Sequence, residues 1–150
     1  MGKEIERKFL IKGEIPRKNI KEKLIKQGYI FIEKGKHLRI RLYMGKAILG
    51  LKFTKGIFRD EFETLLSLKD GKEIYNKCEH TVEKYRTTFK IGKNTYDIDR
   101  YPNGITVVEV EFQSESDAKK WKKPEWIGKE ISGNRDYSNL RLASQNLKFK

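Results

Sequence analysis

The 150-residue sequence predicts an α+β fold: a closed or nearly closed antiparallel β-barrel with a few short helices packed outside it. Three observations carry this expectation. The hydrophobic period is two through most of the chain. The alternating runs share one polarity, with charges on one face and mostly apolar residues on the other. Finally, about four short helices are too few to cover the apolar side of an open sheet of this size, so the charged faces are expected to turn inward and the apolar faces outward, under the helices. Hydrophobic residues make up 37% of the chain, enough for one core, and residues 1–150 are expected to form a single domain.

The elements follow in order. Glu4 to Ile11 alternates Glu4, Glu6 and Lys8 against Ile5, Phe9 and Ile11, with Arg7 as the exception. Pro16, then Ile20, Leu24 and Ile25 at helical spacing, then Gly28, predict a helix over Pro16–Gln27 with a solvated basic face carrying Arg17, Lys18, Lys21 and Lys23. His37–Tyr43 and Ala47–Phe53 alternate on either side of Gly45 and predict a hairpin. Arg59–Leu65 alternates again, and Asp70 with Glu73 resembles a capping box that opens a helix toward Cys78. Strands are expected over Val82–Ile91, Thr95–Arg100 and the β-branched Ile105–Phe112, separated by turns at Gly92-Lys93-Asn94 and Pro102-Asn103-Gly104. Ser114 and Asp117 predict a capped helix ending before Pro124, and Ser138 caps a final helix within Tyr137–Leu147. Seven strands are counted in this way.

Composition removes several classes of function. No run approaches the roughly 18 apolar residues of a membrane helix, and Tyr29-Ile30-Phe31-Ile32 is typical of the short runs present. Met1-Gly2-Lys3-Glu4 enters patterned sequence directly with no apolar signal region, and a cytoplasmic location is expected. The single Cys78 cannot form an intramolecular disulfide, and with only His37 and His80 it cannot complete a four-ligand Cys/His metal site. Any metal must be held mainly by carboxylates. Cys78 is read as a small packing residue, and Trp121 and Trp126 as packing onto the barrel.

The charged strand faces together hold Glu4, Glu6, Glu61, Glu63, Asp97, Asp99, Glu109 and Glu111 against Lys8, Arg39, Arg41, Lys52, Arg59, Lys84 and Arg86. Lys plus Arg number 34 and Asp plus Glu 21, a net charge of +13; this inner set is itself one charge negative, so the rest of the chain carries +14 and the basicity lies outside the barrel. A charged interior costs several kcal/mol per unpaired ion and is therefore expected to serve a ligand. The arginines offer forked donors and the lysines compact charges suited to a chain of phosphates. Glu4/Glu6, Glu61/Glu63 and Glu109/Glu111 are i, i+2 carboxylate pairs about 6.5–7 Å apart on their strands, suited to hard, oxygen-ligated cations. Divalent metals with cationic side chains form the minimum kit for phosphoryl transfer.

Glu4-Ile5-Glu6-Arg7-Lys8 resembles the Glu-x-Glu-x-Lys signature of the CYTH proteins, the triphosphate tunnel metalloenzymes. The ordered series that follows is similar to that family from residue 4 to about 143. It comprises Leu38-Arg39-Ile40-Arg41, Leu51-Lys52-Phe53, Arg59-x-Glu61-x-Glu63, Lys84-x-Arg86, Asp99, Glu109-x-Glu111 and Tyr137-Ser138-Asn139. The resemblance implies an eight-stranded tunnel, its eighth strand near Gly128-Lys129-Glu130-Ile131, with a C-terminal helix able to plug one mouth.

It further implies that Glu4, Glu6 and Lys8 are catalytic. Lys8, Arg39, Arg41, Lys52, Arg59, Lys84 and Arg86 would bind substrate, while Glu4, Glu6, Glu61, Glu63, Asp99, Glu109 and Glu111 would hold Mg²⁺ or Mn²⁺. Short members of this length look most like inorganic triphosphatases. Class IV adenylate cyclase and nucleoside or thiamine triphosphatase are alternatives on the same fold, and a non-catalytic binder of polyphosphate or RNA ends is an alternative from another class. The expected partner is a triphosphate-containing small molecule. Neither a membrane nor nucleic acid is expected, and a homodimer is left open.

Overall fold

The computed structural model describes residues 2–16, 20–55 and 58–150. Its strands are β1 (Gly2–Ile11), β2 (Lys23–Glu33), β3 (Lys36–Tyr43), β4 (Lys46–Lys55), β5 (Phe58–Leu66), β6 (His80–Ile91), β7 (Asn94–Arg100), β8 (Thr106–Phe112) and β9 (Ile127–Glu130). The helices are α1 (Leu68–Lys77), α2 (Glu115–Lys120) and α3 (Asn139–Ser144), the last preceded by a 3-10 turn at Arg135–Tyr137. None is long and apolar enough to cross a membrane.

All strand pairings are antiparallel, and eight strands form a ring in the order β1-β8-β7-β6-β2-β3-β4-β5. It closes where Gly2–Ile5 of β1 pairs with Phe58–Glu61 of β5. Past that contact, Phe9 and Ile11 of β1 pair instead with β9, which extends the edge outside the ring. The expected strand near residue 128 is therefore present as β9, but the eighth member of the ring is β2.

That strand overturns the helix expected over Pro16–Gln27. Residues 17–19 lie outside the described residues, 20–22 have no regular structure, and Lys23–Gln27 is already strand. The face of β2 that turns inward carries Lys23, Ile25, Gln27 and Tyr29, a mixture of polar and apolar groups. Period two was hidden there, while Ile20, Leu24 and Gly28 mimicked a helical stripe and its stop. Its pairing with β3 and β6 overrides that weak local signal. Lys23 accordingly lies opposite Arg86 and not on a helix face.

The expected caps hold at two helices. Ser114 accepts a hydrogen bond from the Asp117 N–H, and Ser138 from that of Arg141. In α1 the cap is Ser67, which accepts from the Asp70 N–H, so this helix starts ahead of the box expected at Asp70. At the β3–β4 turn Met44 (φ 54°) and Gly45 (φ 72°) are both left-handed, as a two-residue hairpin requires.

The main apolar core lies outside the ring. Phe9, Phe89, Tyr96, Ile98, Val108, Val110 and Phe112 project outward and are covered by Ala118 of α2, Ile127, Trp121 and Trp126. Both tryptophans thus pack on the barrel. Arg7, the exception in the pattern of β1, also faces outward. Its guanidinium grips both Glu130 oxygens at 2.9 and 2.6 Å, donates to the Ala118 carbonyl at 2.8 Å, and lies 5.6 Å from the Trp121 ring centre. A second cluster, Tyr29, Val82, Tyr101, Val107 and Ile131 with Leu142 and Ala143 of α3, closes one end.

Helix α1 seats on β4 through Gly71, where an added Cβ would fall 2.1 Å from the Ala47 Cβ. Gly71→Ala is expected to lower stability by about 1–3 kcal/mol, read as a fall in Tm of several degrees, because the helix must lift from the sheet. An unchanged Tm would mean that α1 is not fixed at this contact.

Candidate functional site

Register places the charged residues on one continuous inner surface. Glu6 lies opposite Glu111, Lys8 opposite Glu109 and Glu109 opposite Asp97. Asp99 lies opposite Arg86, and Lys52 opposite both His37 and Glu61. Ion pairs cross this surface and skip strands: Arg39 of β3 reaches Glu61 of β5 at 3.2 Å, and Lys52 of β4 reaches Glu4 of β1 at 3.7 Å. All fifteen residues of the expected inner set lie here, although they have very different partners.

The most buried carboxylate is Asp99, 1% exposed. It accepts two hydrogen bonds from Arg86 at 2.7 and 2.8 Å, and Lys84 Nζ lies 2.8 Å away. Against the upward push of burial, Arg86 and Lys84 hold its carboxyl far below the usual range. Lys84, itself fully buried, also donates to Asn139 Oδ1 at the head of α3, and the Tyr101 hydroxyl bonds the same oxygen. Lys8 Nζ donates to the Tyr137 carbonyl at 2.8 Å and lies 3.8 Å from Glu109. The C-terminal segment thus closes one mouth of the ring and is tied to two inner lysines.

Asp97 lies 3.6 Å from Arg86, and the other seven acidic residues of the inner set fall into two groups. Glu61, Glu63, Asp99 and Glu109 are engaged by cations: Glu61 by Lys52 at 3.0 Å and by Arg39, and Glu63 by Arg39 at 3.5 Å. Burial raises Glu61, but Lys52 and Arg39 outweigh it and hold the carboxyl at about 2; in the same way Lys8 and Arg86 hold Glu109 low. Glu4, Glu6 and Glu111 also bring oxygens within 4.8 Å of one another, graded from exposed Glu111 to buried Glu6, while Lys52 lies 3.7 Å from Glu4 and Arg59 2.5 Å from Glu6. Burial raises all three. For Glu6, burial and then Glu109 push the carboxyl up to about 7 against Lys52 and Arg59, although Arg59 Nε donates to it at 2.5 Å. Three clustered hard oxygens of raised proton affinity fit a divalent cation, and among the described residues they form the one such acidic group.

His37 faces this wall beside Lys52. Burial, then Arg39 and Lys52, lower its imidazole to about 4, so it is neutral, and its Nε2 is buried without a hydrogen-bond partner. Gln27 falls at the end of the expected helix and Tyr29 just beyond it in a run assigned to no strand, so neither is expected on the wall. Lys23-Ile25-Gln27-Tyr29, taken at period two, was the signal that could have found them.

The CYTH domain family matches residues 2–139. An inorganic triphosphatase of Acetivibrio thermocellus is 37% identical over 95% of this chain and 94% of its own length. One from Nitrosomonas europaea is 30% identical over 93% and 96%. A crystal structure of an inorganic triphosphatase superposes with a TM-score of 0.69 at 27% identity, covering 93% of this chain and 97% of its own.

The raised Glu6 carboxyl makes a signed prediction for the metal-free protein in EDTA. A carboxyl whose value rises on folding from 4.5 to about 7 contributes stability that is complete below 4.5 and is lost as pH rises through 7. Glu6→Gln lacks that loss. Its stability relative to the parent, followed through Tm, is expected to climb between pH 4.5 and 7, by on the order of 3 kcal/mol at most. A flat difference across this range would mean that Glu6 is ionised throughout.

Proposed function

Because this chain belongs to the CYTH domain family, we propose that it hydrolyses inorganic triphosphate within the ring. The observation that carries this reading is one inner wall on which seven cations stand beside a three-carboxylate cluster. A simple polyanion binder gains nothing from carboxylates next to its ligand, since each repels it. The names of two relatives that cover nearly the whole chain support the same activity.

In this reading Arg39, Arg41, Lys52, Arg59, Lys84 and Arg86 bind the phosphate chain, whose oxygens compete for cations that Glu61, Glu63 and Asp99 otherwise hold. Glu4, Glu6 and Glu111 would hold Mg²⁺ or Mn²⁺, which when bound polarises phosphoryl oxygens as a Lewis acid. Lys8 sits at the closed end, where its charge opposes negative charge developing on the phosphates. Water adds to the terminal phosphorus, the bridging P–O bond breaks, and orthophosphate and diphosphate leave.

A phosphate-release screen across inorganic triphosphate, thiamine triphosphate, ATP and long polyphosphate tests this reading. Inorganic triphosphate is expected to be turned over best; faster release from ATP would favour a nucleotide enzyme. Activity is expected to vanish in excess EDTA and return with Mg²⁺ or Mn²⁺, and full turnover in EDTA would defeat the metal assignment. Glu4→Gln is expected to lower kcat roughly 10²-fold.

Salt separates the inner wall from the outer charge. Arg41→Ala is expected to raise KM about tenfold or more even at salt that screens the surface. Replacing exposed Lys120, Lys122 and Lys129 together by Gln is expected to leave triphosphate turnover nearly unchanged. The opposite order, measured at two ionic strengths, would place binding on the outer surface.

A further inference from the structure

Six of the seven inner cations have a carboxylate within 4.0 Å: Lys8 has Glu109, Arg39 and Lys52 have Glu61, Arg59 has Glu6, and Lys84 and Arg86 have Asp99. Among the described residues Arg41 has none. Its cross-strand neighbours are Ile48 on β4 and Gln27 on β2. Gln27 is fully buried, accepts a hydrogen bond from Arg41 Nε at 2.9 Å, and donates from Nε2 to the Tyr29 hydroxyl at 2.6 Å. Because a guanidinium only donates, the amide orientation is fixed: oxygen to Arg41, nitrogen to Tyr29.

We propose that Gln27 is a positioning residue that aims Arg41 at the substrate without cancelling its charge. Held at Nε, the guanidinium keeps its two terminal nitrogens, with four N–H donors, for phosphate oxygens. A glutamate here would hold the same atom equally well and neutralise it, as Glu61 does for Arg39. Burial, followed by Arg39 and Arg86, pushes the Arg41 guanidinium down to about 10 against the opposing pull of Asp99, in keeping with a cation that no carboxylate contacts. The consequence is specificity for a highly charged phosphate chain, since one inner cation is reserved for it at a cost in stability.

This inference rests on the triphosphatase reading, and the test keeps the two separable. Gln27→Glu is isosteric and can accept from both Arg41 and the Tyr29 hydroxyl, so the fold is expected to persist with Tm unchanged or raised. KM and the calorimetric Kd for inorganic triphosphate are expected to rise about tenfold or more, with kcat at saturation changed less than about threefold. A carboxylate added to this wall repels a polyanion whatever Gln27 does, so a rise counts for the assignment only when Gln27→Met shows it too, whereas values within about twofold of the parent overturn it. Gln27→Met separates aim from added charge, and decides also if Gln27→Glu does not fold: it leaves Arg41 charged but unaimed, and a raised KM at held kcat supports the proposal, whereas an unchanged KM overturns it. A parent protein that neither binds nor hydrolyses inorganic triphosphate overturns the functional reading and this inference with it.

Discussion

The rest of the structure depends on the need to satisfy charges that the closed ring removes from water. An ion withdrawn from solvent costs several kcal/mol unless a partner of good geometry repays it. Asp99 shows how the wall meets this requirement: one carboxylate, almost wholly buried, serves the fork of Arg86 and the ammonium of Lys84 together. The same requirement pins strand register. A slip of one residue in β6 or β7 would send these groups into the outer apolar layer and bring Phe89 or Ile98 onto the charged wall.

The pairing is incomplete at two places on the wall. Glu4, Glu6 and Glu111 crowd one another with too little positive charge among them, and Arg41 leans on an amide in place of a carboxylate. These local imbalances have opposite sign and lie on the same wall. A divalent cation at the first and a polyphosphate at the second would each relieve one of them. Stability surrendered to these imbalances would thus be recovered on binding such ligands.

Inverting the usual arrangement also moves the hydrophobic work outward. Phe9, Val110 and Phe112 of β1 and β8 are covered by α2 and by Trp121 and Trp126, while α1 serves β3 and β4 through Gly71 and Ala47. The C-terminal segment does two things at once. Leu142 and Ala143 complete an apolar plug, while the Tyr137 carbonyl and Asn139 side chain take Lys8 and Lys84 as donors, so closure of one mouth and placement of two inner cations are a single interaction.

By itself the sequence determined the barrel, its seven evident strands and the identity of the charged wall. Alternation puts side chains on fixed faces of a strand whatever lies beside them, so Glu4 and Glu6, or Arg39 and Arg41, had to share a face. It also determined the caps at Ser114 and Ser138, which are local hydrogen bonds. Three matters were decided only by tertiary structure. Residues 23–33 became the eighth strand because β3 and β6 offered two unpaired edges, a gain larger than a faint helical period. The strand near residue 128 fell outside the ring because β5 already occupied that edge of β1 near its start. And the division of the acids, with Glu61, Glu63, Asp99 and Glu109 engaged by cations and Glu4, Glu6 and Glu111 gathered together, depends on distances across the ring, which no spacing along one strand contains.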